Sequence, residues 1–333
     1  MKKHAIWLFT LGLLTVVGIE RYGEAQDAQV RSISIATLAP PGSTWMKVFD
    51  AWNREIRRRS NKTLQLRFYP GGVQGDEAEV IRKIRNGRVD GAAVTAVGLG
   101  QIHRPALVFE MPDILRNYDE LDAARAALAP EMNAAFERAG FKMLGWADVG
   151  IGRLFSTMPI RTPADMARAH PWLWRDDLVM PAFFQVVRSN PVPLQVPEVL
   201  SALQTRRIDS LLATPVAAVA LQWQSRVSYM TELSASIAIG GTIMGKRQWD
   251  SLTDEQRTIL TETAAQFHAL ARRNLRRDEQ QAIQSLGQNN IQVITPTAAQ
   301  KEEWRRVATQ VRQRLVGQIC DQALIDRVLH FRH

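Results

Sequence analysis

The stretch YPGGVQGDEAEVIRKIRNGRVDGAAVT, Tyr69–Thr95, reads as the end of one strand, a glycine loop, a helix and the start of another strand. A proline and three glycines stop the first strand after Tyr69. Asp76, with Glu79 three residues on, has the spacing of a capping box in which Asp replaces Ser or Thr. The helix it opens, Glu77–Asn86, gathers Val80, Ile81 and Ile84 on one face. Val89–Gly100 is small and apolar, as a buried parallel strand is. Upstream, Thr63–Pro70 reads as a strand, and Ser32–Pro40 alternates in the manner of one. Between them Ser43 is placed to cap a helix over Thr44–Arg59, whose Trp45, Phe49, Trp52 and Ile56 share one face. The order β-α-β-α-β predicts a doubly wound α/β layer. Such layers take ligands at the C-terminal strand ends, here Leu38–Pro41, Tyr69–Gln74 and Thr95–Gly98.

The pattern recurs downstream. A helix is predicted over Asp119–Ala139, its apolar run interrupted by Pro130. FKMLGWADVG and IGRLFST, Phe141–Thr157, read as two strands joined by a short turn. Thr162 and Pro163 open a brief helix. Val196–Asp209 reads as a helix and Ser210–Pro215 as a buried strand, so a second α/β domain starts near Gly150. VSYMTEL and SIAIGGTIMGK give further strands. Thr253 and Gln256 form a capping box that opens a long helix to about Leu286. Ile291–Pro296 reads as a strand, and Thr297 with Gln300 caps a last helical segment. No long linker separates the halves, so they are expected to share crossover strands and helices.

The chain has 333 residues, of which 46% are hydrophobic and 23% charged, ordinary values for a globular protein of two modest domains. MKKH followed by fifteen apolar residues, Ala5–Ile19, and small residues near Ala25 reads as a cleavable export signal over residues 1–25, with an uncleaved anchor as the rival. Formal charge is +9; the first 25 residues hold three of the basic and two of the acidic side chains, so the remainder keeps +8. The basic residues lie along helices among acidic neighbours, which marks solvated faces and not a nucleic-acid surface. Cys320 is the single cysteine, so no internal disulfide forms. The six histidines show no metal-ligand spacing, and no nucleophile elbow, P-loop or dinucleotide fingerprint is present. Asp176 and Asp177 read as a surface turn. Binding is therefore favoured over catalysis, with neither metal nor cofactor expected.

Tyr69–Thr95 strongly resembles the strand–loop–helix–strand of the DctP family, the extracytoplasmic solute receptors of tripartite ATP-independent periplasmic (TRAP) transporters. The likeness continues through FEMPDILRNYDEL, GRLFSTMPIRTPADM, NPVPLQVPEVLSALQTRRID and QWDSLTDEQRTIL, nearly the whole chain after the export signal. It implies a two-lobed α/β fold of the periplasmic-binding-protein type, each lobe a sheet flanked by helices, with a long helix along both. Lobe I would comprise residues 26–149, with part of 235–290 returning to it. Lobe II would comprise 150–234, with the helices of 291–333 packing across the lobes. It further implies a periplasmic receptor that closes on its ligand and delivers it to the small and large subunits of a membrane permease. Two rival roles stay open: presenting ligand to a sensor protein, or carrying hydrophobic molecules with an additional periplasmic partner protein.

Ordinary members of the family clamp a ligand carboxylate with an arginine just after the short helix. Here that position falls in AHPWLWRDD, Ala169–Asp177, at Trp172 or Leu173 depending on the gap. Neither is arginine. A buried carboxylate needs a paired cation, whereas an indole offers flat apolar area and one N–H. The expected ligand is therefore more apolar or bulkier than small organic acids, or aromatic or cationic over an indole face. Trp172 and Trp174 either line the cleft or fill the core of lobe II. Arg153 matches a second family arginine and either meets an acidic group or makes a structural ion pair. Thr214 stands near the position of a family asparagine. Trp45 starts a helix at the mouth of lobe I, in contact with ligand or packed in the core; Gln74 lies at a strand end in the glycine loop; Thr95 and Gly98 end the third strand, where small residues leave room for a ligand. Trp223 sits at the domain seam or in contact.

Overall fold

The computed structural model describes residues 30–288 and 290–332. The export signal expected over residues 1–25 lies outside them. The strands are β1 (Arg31–Thr37), β2 (Leu64–Tyr69), β3 (Gly91–Thr95), β4 (Phe141–Ile151), β5 (Arg153–Ser156), β6 (Trp172–Trp174), β7 (Val192–Leu194), β8 (Ser210–Ala213), β9 (Tyr229–Thr231), β10 (Ile237–Gly245) and β11 (Gln292–Ile294). The helices are α1 (Thr44–Arg59), α2 (Glu77–Arg85), α3 (Ala96–Gly100), α4 (Tyr118–Arg138), α5 (Pro163–Met166), α6 (Met180–Val187), α7 (Val199–Gln204), α8 (Pro215–Ala220), α9 (Lys246–Asp250), α10 (Asp254–Gln288), α11 (Ala298–Leu315) and α12 (Gln322–Leu329).

Two sheets define two lobes. The first runs β2-β1-β3-β10-β4, with β1 parallel to β2 and β3, and β10 antiparallel to both β3 and β4. The second runs β11-β9-β5-β8. β6 and β7 form a separate parallel pair, bridged to the second sheet at Pro171–Ser210. A continuous second β-α-β-α-β layer is therefore not built. Pro191 and Pro193 flank Val192 and lack the N–H that a longer ladder would use.

The Phe141–Thr157 segment also departs from its reading. β4 and β5 are not a hairpin: only Gly152 separates them, and they belong to different sheets. The chain thus crosses between lobes here and returns before β10. The strand expected over Val89–Gly100 ends at Thr95, whose side chain accepts from Val97 N and caps α3.

Local signals account for most of the helices. Ser43 Oγ accepts from Met46 N, and Trp52 and Ile56 of α1 are fully buried. Thr253 and Gln256 exchange both capping bonds at the start of α10. This 35-residue helix serves both lobes: Ile259, Leu260, Ala264 and Phe267 pack with α1 and β1, while Leu286 packs in the core of the second lobe. Pro130 lies inside α4, which nevertheless continues to Arg138.

On the α10 face that meets β10, His268 is buried, with Nδ1 2.8 Å from Ala264 O and Nε2 2.9 Å from Thr242 Oγ1. The carbonyl can only accept, so Nδ1 carries the proton and Nε2 accepts from the hydroxyl. Burial pushes the imidazole down to about 4 from the usual 6.5. The unfolded chain therefore takes up a proton first as pH falls, and this contribution to stability, complete above about 6.5, is lost toward pH 4. The expected loss is on the order of 2–3 kcal/mol between those limits. Denaturant titrations should show a shallower acid dependence for His268→Gln than for the unsubstituted chain, and parallel curves would remove His268 from the account.

Candidate ligand-binding site

A cavity of about 500 Å³ lies between the lobes, within the range that accommodates small organic ligands. Lobe I contributes the chain after β1, the start of α1 with Trp45, and the β3–α3 junction at Thr95; lobe II contributes Trp172, Trp174, Thr214 and Trp223.

The indole wall has a definite geometry. Trp172 stacks on Trp174 with ring centres 5.8 Å apart and meets Trp223 edge-on at 5.2 Å. Trp172 Nε1 donates to Leu194 O at 3.0 Å, which ties β6 to β7. Leu173 packs on the opposite side, with the cluster that includes α6 and α11 residues. So of the two positions that the sequence left open, Trp172 is the one on the cavity side. It also belongs to the second lobe's core; lining and packing are not exclusive for a ring of this size.

Trp174 has a second partner. Its Nε1 donates to Asp76, 3.1 Å from each carboxylate oxygen, and Val196 N adds a bond of 3.2 Å. Asp76 also accepts from Glu77 N at 2.6 Å and is 1% exposed. A side chain of lobe I is thereby held by two donors of lobe II. Burial pushes its carboxyl above the usual range, against the pull of these donors. The capping box read from Asp76 and Glu79 is not formed, because Asp76 is turned to the other lobe and Glu79 pairs with Lys83 at 3.1 Å.

Glu77 explains the turn after β3. Its carboxyl accepts from Thr95 N (2.8 Å), Thr95 Oγ1 (2.9 Å) and Gly98 N (2.7 Å), at 2% exposure. Burial pushes it up to about 8 despite these bonds, and the charge of Asp76 acts in the same direction. A Cβ on Gly98 would stand 2.9 Å from Glu77 Oε2 and 2.7 Å from Val94 Cβ. Gly98 thus makes room for Glu77, not for a ligand, and lies off the cavity wall. Thr95 stays on the wall with its hydroxyl engaged by Glu77.

Two further sequence candidates are elsewhere. Gln74 is off the wall; its carbonyl accepts from Lys83 Nζ at 2.7 Å. Arg153 is also off the wall. Its side chain is half-buried beside Gly152, whose carbonyl it meets at 3.4 Å, and its Nε has no partner among the described residues. Burial lowers its pKa, while the charges of Glu279 and Glu232 hold it up. Thr214 is on the wall and caps α8 through Ala217 N.

Sequence reading passed over Glu77, Glu110 and Asp177, all on the wall. Asp177 is not a surface-turn residue: Oδ1 accepts from Val179 N (2.7 Å) and Met180 N (2.9 Å), capping the turn into α6. The signal was an Asp just ahead of the apolar run LVMPAFFQVV. Glu110 stands alone among apolar residues in the 3-10 turn Arg104–Glu110 and accepts from Ile239 N at 3.1 Å.

A cavity closed between two α/β lobes, with strands crossing between them and one helix serving both, defines a two-lobed solute receptor. The sequence pattern of DctP, the bacterial extracellular solute-binding protein family 7, matches residues 35–318, and the chain belongs to that family. It is 23% identical over 256 residues to the 2,3-diketo-L-gulonate-binding periplasmic protein YiaO of Escherichia coli, covering 73% of this chain and 75% of that one. It is 22% identical to the C4-dicarboxylate-binding periplasmic protein DctP of Vibrio cholerae, with 83% and 87% covered. A TRAP periplasmic solute-binding protein from Shewanella oneidensis, solved with bound succinate, superposes with a TM-score of 0.86 at 16% identity, over 91% of this chain and 99% of that one. The chain is a binding receptor and not an enzyme. Among the described residues no helix is long and apolar enough to cross a membrane.

Trp174→Phe keeps a ring against Trp172 but removes the donor to Asp76. A hydrogen bond to a charged group contributes about 1.5–3 kcal/mol. The variant should lose stability in that range in urea, and hydrogen exchange should report faster opening at Val196 N; unchanged exchange there would show that the lobes are held without this bond.

Proposed function

We propose that this chain is the periplasmic receptor of a TRAP-type permease, and that its ligand has more apolar surface than the acids named for its relatives. The observation that carries this reading is the composition of the inner wall: Trp172, Trp174 and Trp223 stand there, and no guanidinium does. The arginines at the cavity, Arg116 and Arg305, are about half exposed at its rim and are paired with Asp113 and Glu302. A compact diacid buried against indoles would leave a carboxylate without a cation, at a cost of several kcal/mol. An apolar or aromatic body gains buried area and ring contacts instead. Ligand between the lobes favours the closed arrangement, and closure is what the permease subunits would read. A second reading rests on Lys301, half-exposed at the cavity and without an ion pair among the described residues, which offers one cation to an acid entering from the rim.

Native mass spectrometry of receptor purified without denaturation should show a retained apolar or aromatic molecule, and calorimetry should show no binding of succinate or 2,3-diketo-L-gulonate in the micromolar range. Micromolar affinity for either acid would overturn the apolar reading. Trp172→Arg, checked for fold by circular dichroism, should weaken the retained ligand by at least about tenfold if the ring is in contact. Unchanged binding would return Trp172 to packing alone.

A further inference from the structure

The wall of the cavity carries carboxyl groups that no cation among the described residues pairs with. Glu110 enters from lobe I and Asp177 from lobe II. Each spends one oxygen on the backbone: Glu110 Oε2 on Ile239 N, Asp177 Oδ1 on Val179 N and Met180 N. Glu110 Oε1 and Asp177 Oδ2 have no hydrogen-bond partner among the described residues, and neither residue has an ion pair there. The other acids on the wall differ. Asp148 is bound by Arg125 and Arg276 at 2.6 and 2.7 Å, Asp113 by Arg332 at 2.7 Å, and Glu77 by its three donors, while Glu232 is exposed to solvent and accepts from the Thr295 hydroxyl at 2.6 Å. Glu110 and Asp177, both partly exposed, thus line the same cavity as the three indoles.

We infer that the ligand presents a positively charged nitrogen to Glu110 and Asp177 while its apolar body lies against Trp172, Trp174 and Trp223, so that the receptor selects organic cations over the acids named for its relatives. This rests on the apolar reading of the cavity and adds the charge of the ligand to it. Two physical effects act together. A carboxylate taken out of water needs a cation or further donors, and an ammonium brings both, because it only donates. Indole faces attract the same charge, most strongly where water is excluded. Burial pushes the Glu110 carboxyl up to about 8, and the charges of Asp177 and Glu77 push it further the same way. Burial raises Asp177 as well. At neutral pH a carboxyl held near 8 is largely protonated, so a cationic ligand would favour its ionised form and an anionic one would oppose it. The clamp is also split between lobes, so a charge held by both carboxyl groups favours closure.

The test is a charge series on one apolar body: 4-phenylbutylamine, 4-phenylbutan-1-ol and 4-phenylbutyrate, titrated by calorimetry with succinate as control. The amine should bind at least about tenfold tighter than the alcohol, and the butyrate weakest. Glu110→Gln and Asp177→Asn each keep the oxygen that accepts from the backbone, so both variants should melt near the parent temperature. Each should cut the preference for amine over alcohol by about tenfold and leave alcohol binding within about twofold. Equal binding of amine and alcohol would overturn the charge inference and leave the apolar reading standing. Binding of succinate or the butyrate in preference to the other two would overturn both. Should one variant fail to fold, the other decides.

Discussion

Two adjacent carboxyl groups, Asp76 and Glu77, are kept out of water at the first turn of α2, and the site is arranged around that fact. Burying one carboxylate is costly, and burying two side by side adds their repulsion. The structure offsets the cost by sending them opposite ways. Glu77 is wrapped by the backbone of its own lobe, which ends β3 and folds α3 over it. Asp76 accepts from Glu77 N and draws its other donors from lobe II, out of β6 and the turn before α7. The positive end of the α2 macrodipole helps both. Lobe I is thus given its ligand-facing edge, and lobe II its docking point, by neighbouring residues.

A second set of contacts governs the crossing between lobes. Glu279 of α10 accepts from Ile151 N at 2.6 Å and from the Tyr118 hydroxyl at 2.7 Å, where β4 hands over to β5. Gly150, at φ +127°, lets the strand pass: a Cβ there would stand 3.0 Å from Glu279 Oε1. One turn earlier on α10, Arg276 joins Arg125 in holding Asp122 and Asp148. The long helix is therefore tied to the crossover by charge and not only by packing. A rearrangement that broke this tied region would strand buried ions.

These features divide by how far their causes lie along the chain. The apolar face of α1 and the capping boxes of α10 and α11 rest on residues within a turn of each other, and they were legible. Strand ends at Thr95 and Ile151 were not, because Glu77 and Glu279 decide them from 18 and 128 residues away. Asp76 shows the same limit: its local spacing suggested a capping box, but donors 98 and 120 residues distant claim its oxygens. Arg153 was read by position in a resemblance and sits beside the hinge, drawn toward Glu279 and Glu232. That Trp172 and Trp174 share a face was legible, because residues two apart in a strand do. The acidic part of the wall was not, since a lone Glu in an apolar turn and an Asp before a helix look local and polar until the second lobe encloses them.

The bond between Trp174 and Asp76 makes one side chain both wall and fastener. Apparent affinity in such a receptor is the intrinsic affinity scaled by the population of the competent arrangement. Trp174 lines the cavity and also bonds across the lobes, so a substitution there would bear on both factors if the ring meets the ligand. Trp172 bonds within its own lobe and meets the inter-lobe bond through its stacking on Trp174. Replacing the ring at Trp172 leaves the bond between the lobes in place, whereas replacing it at Trp174 removes that bond.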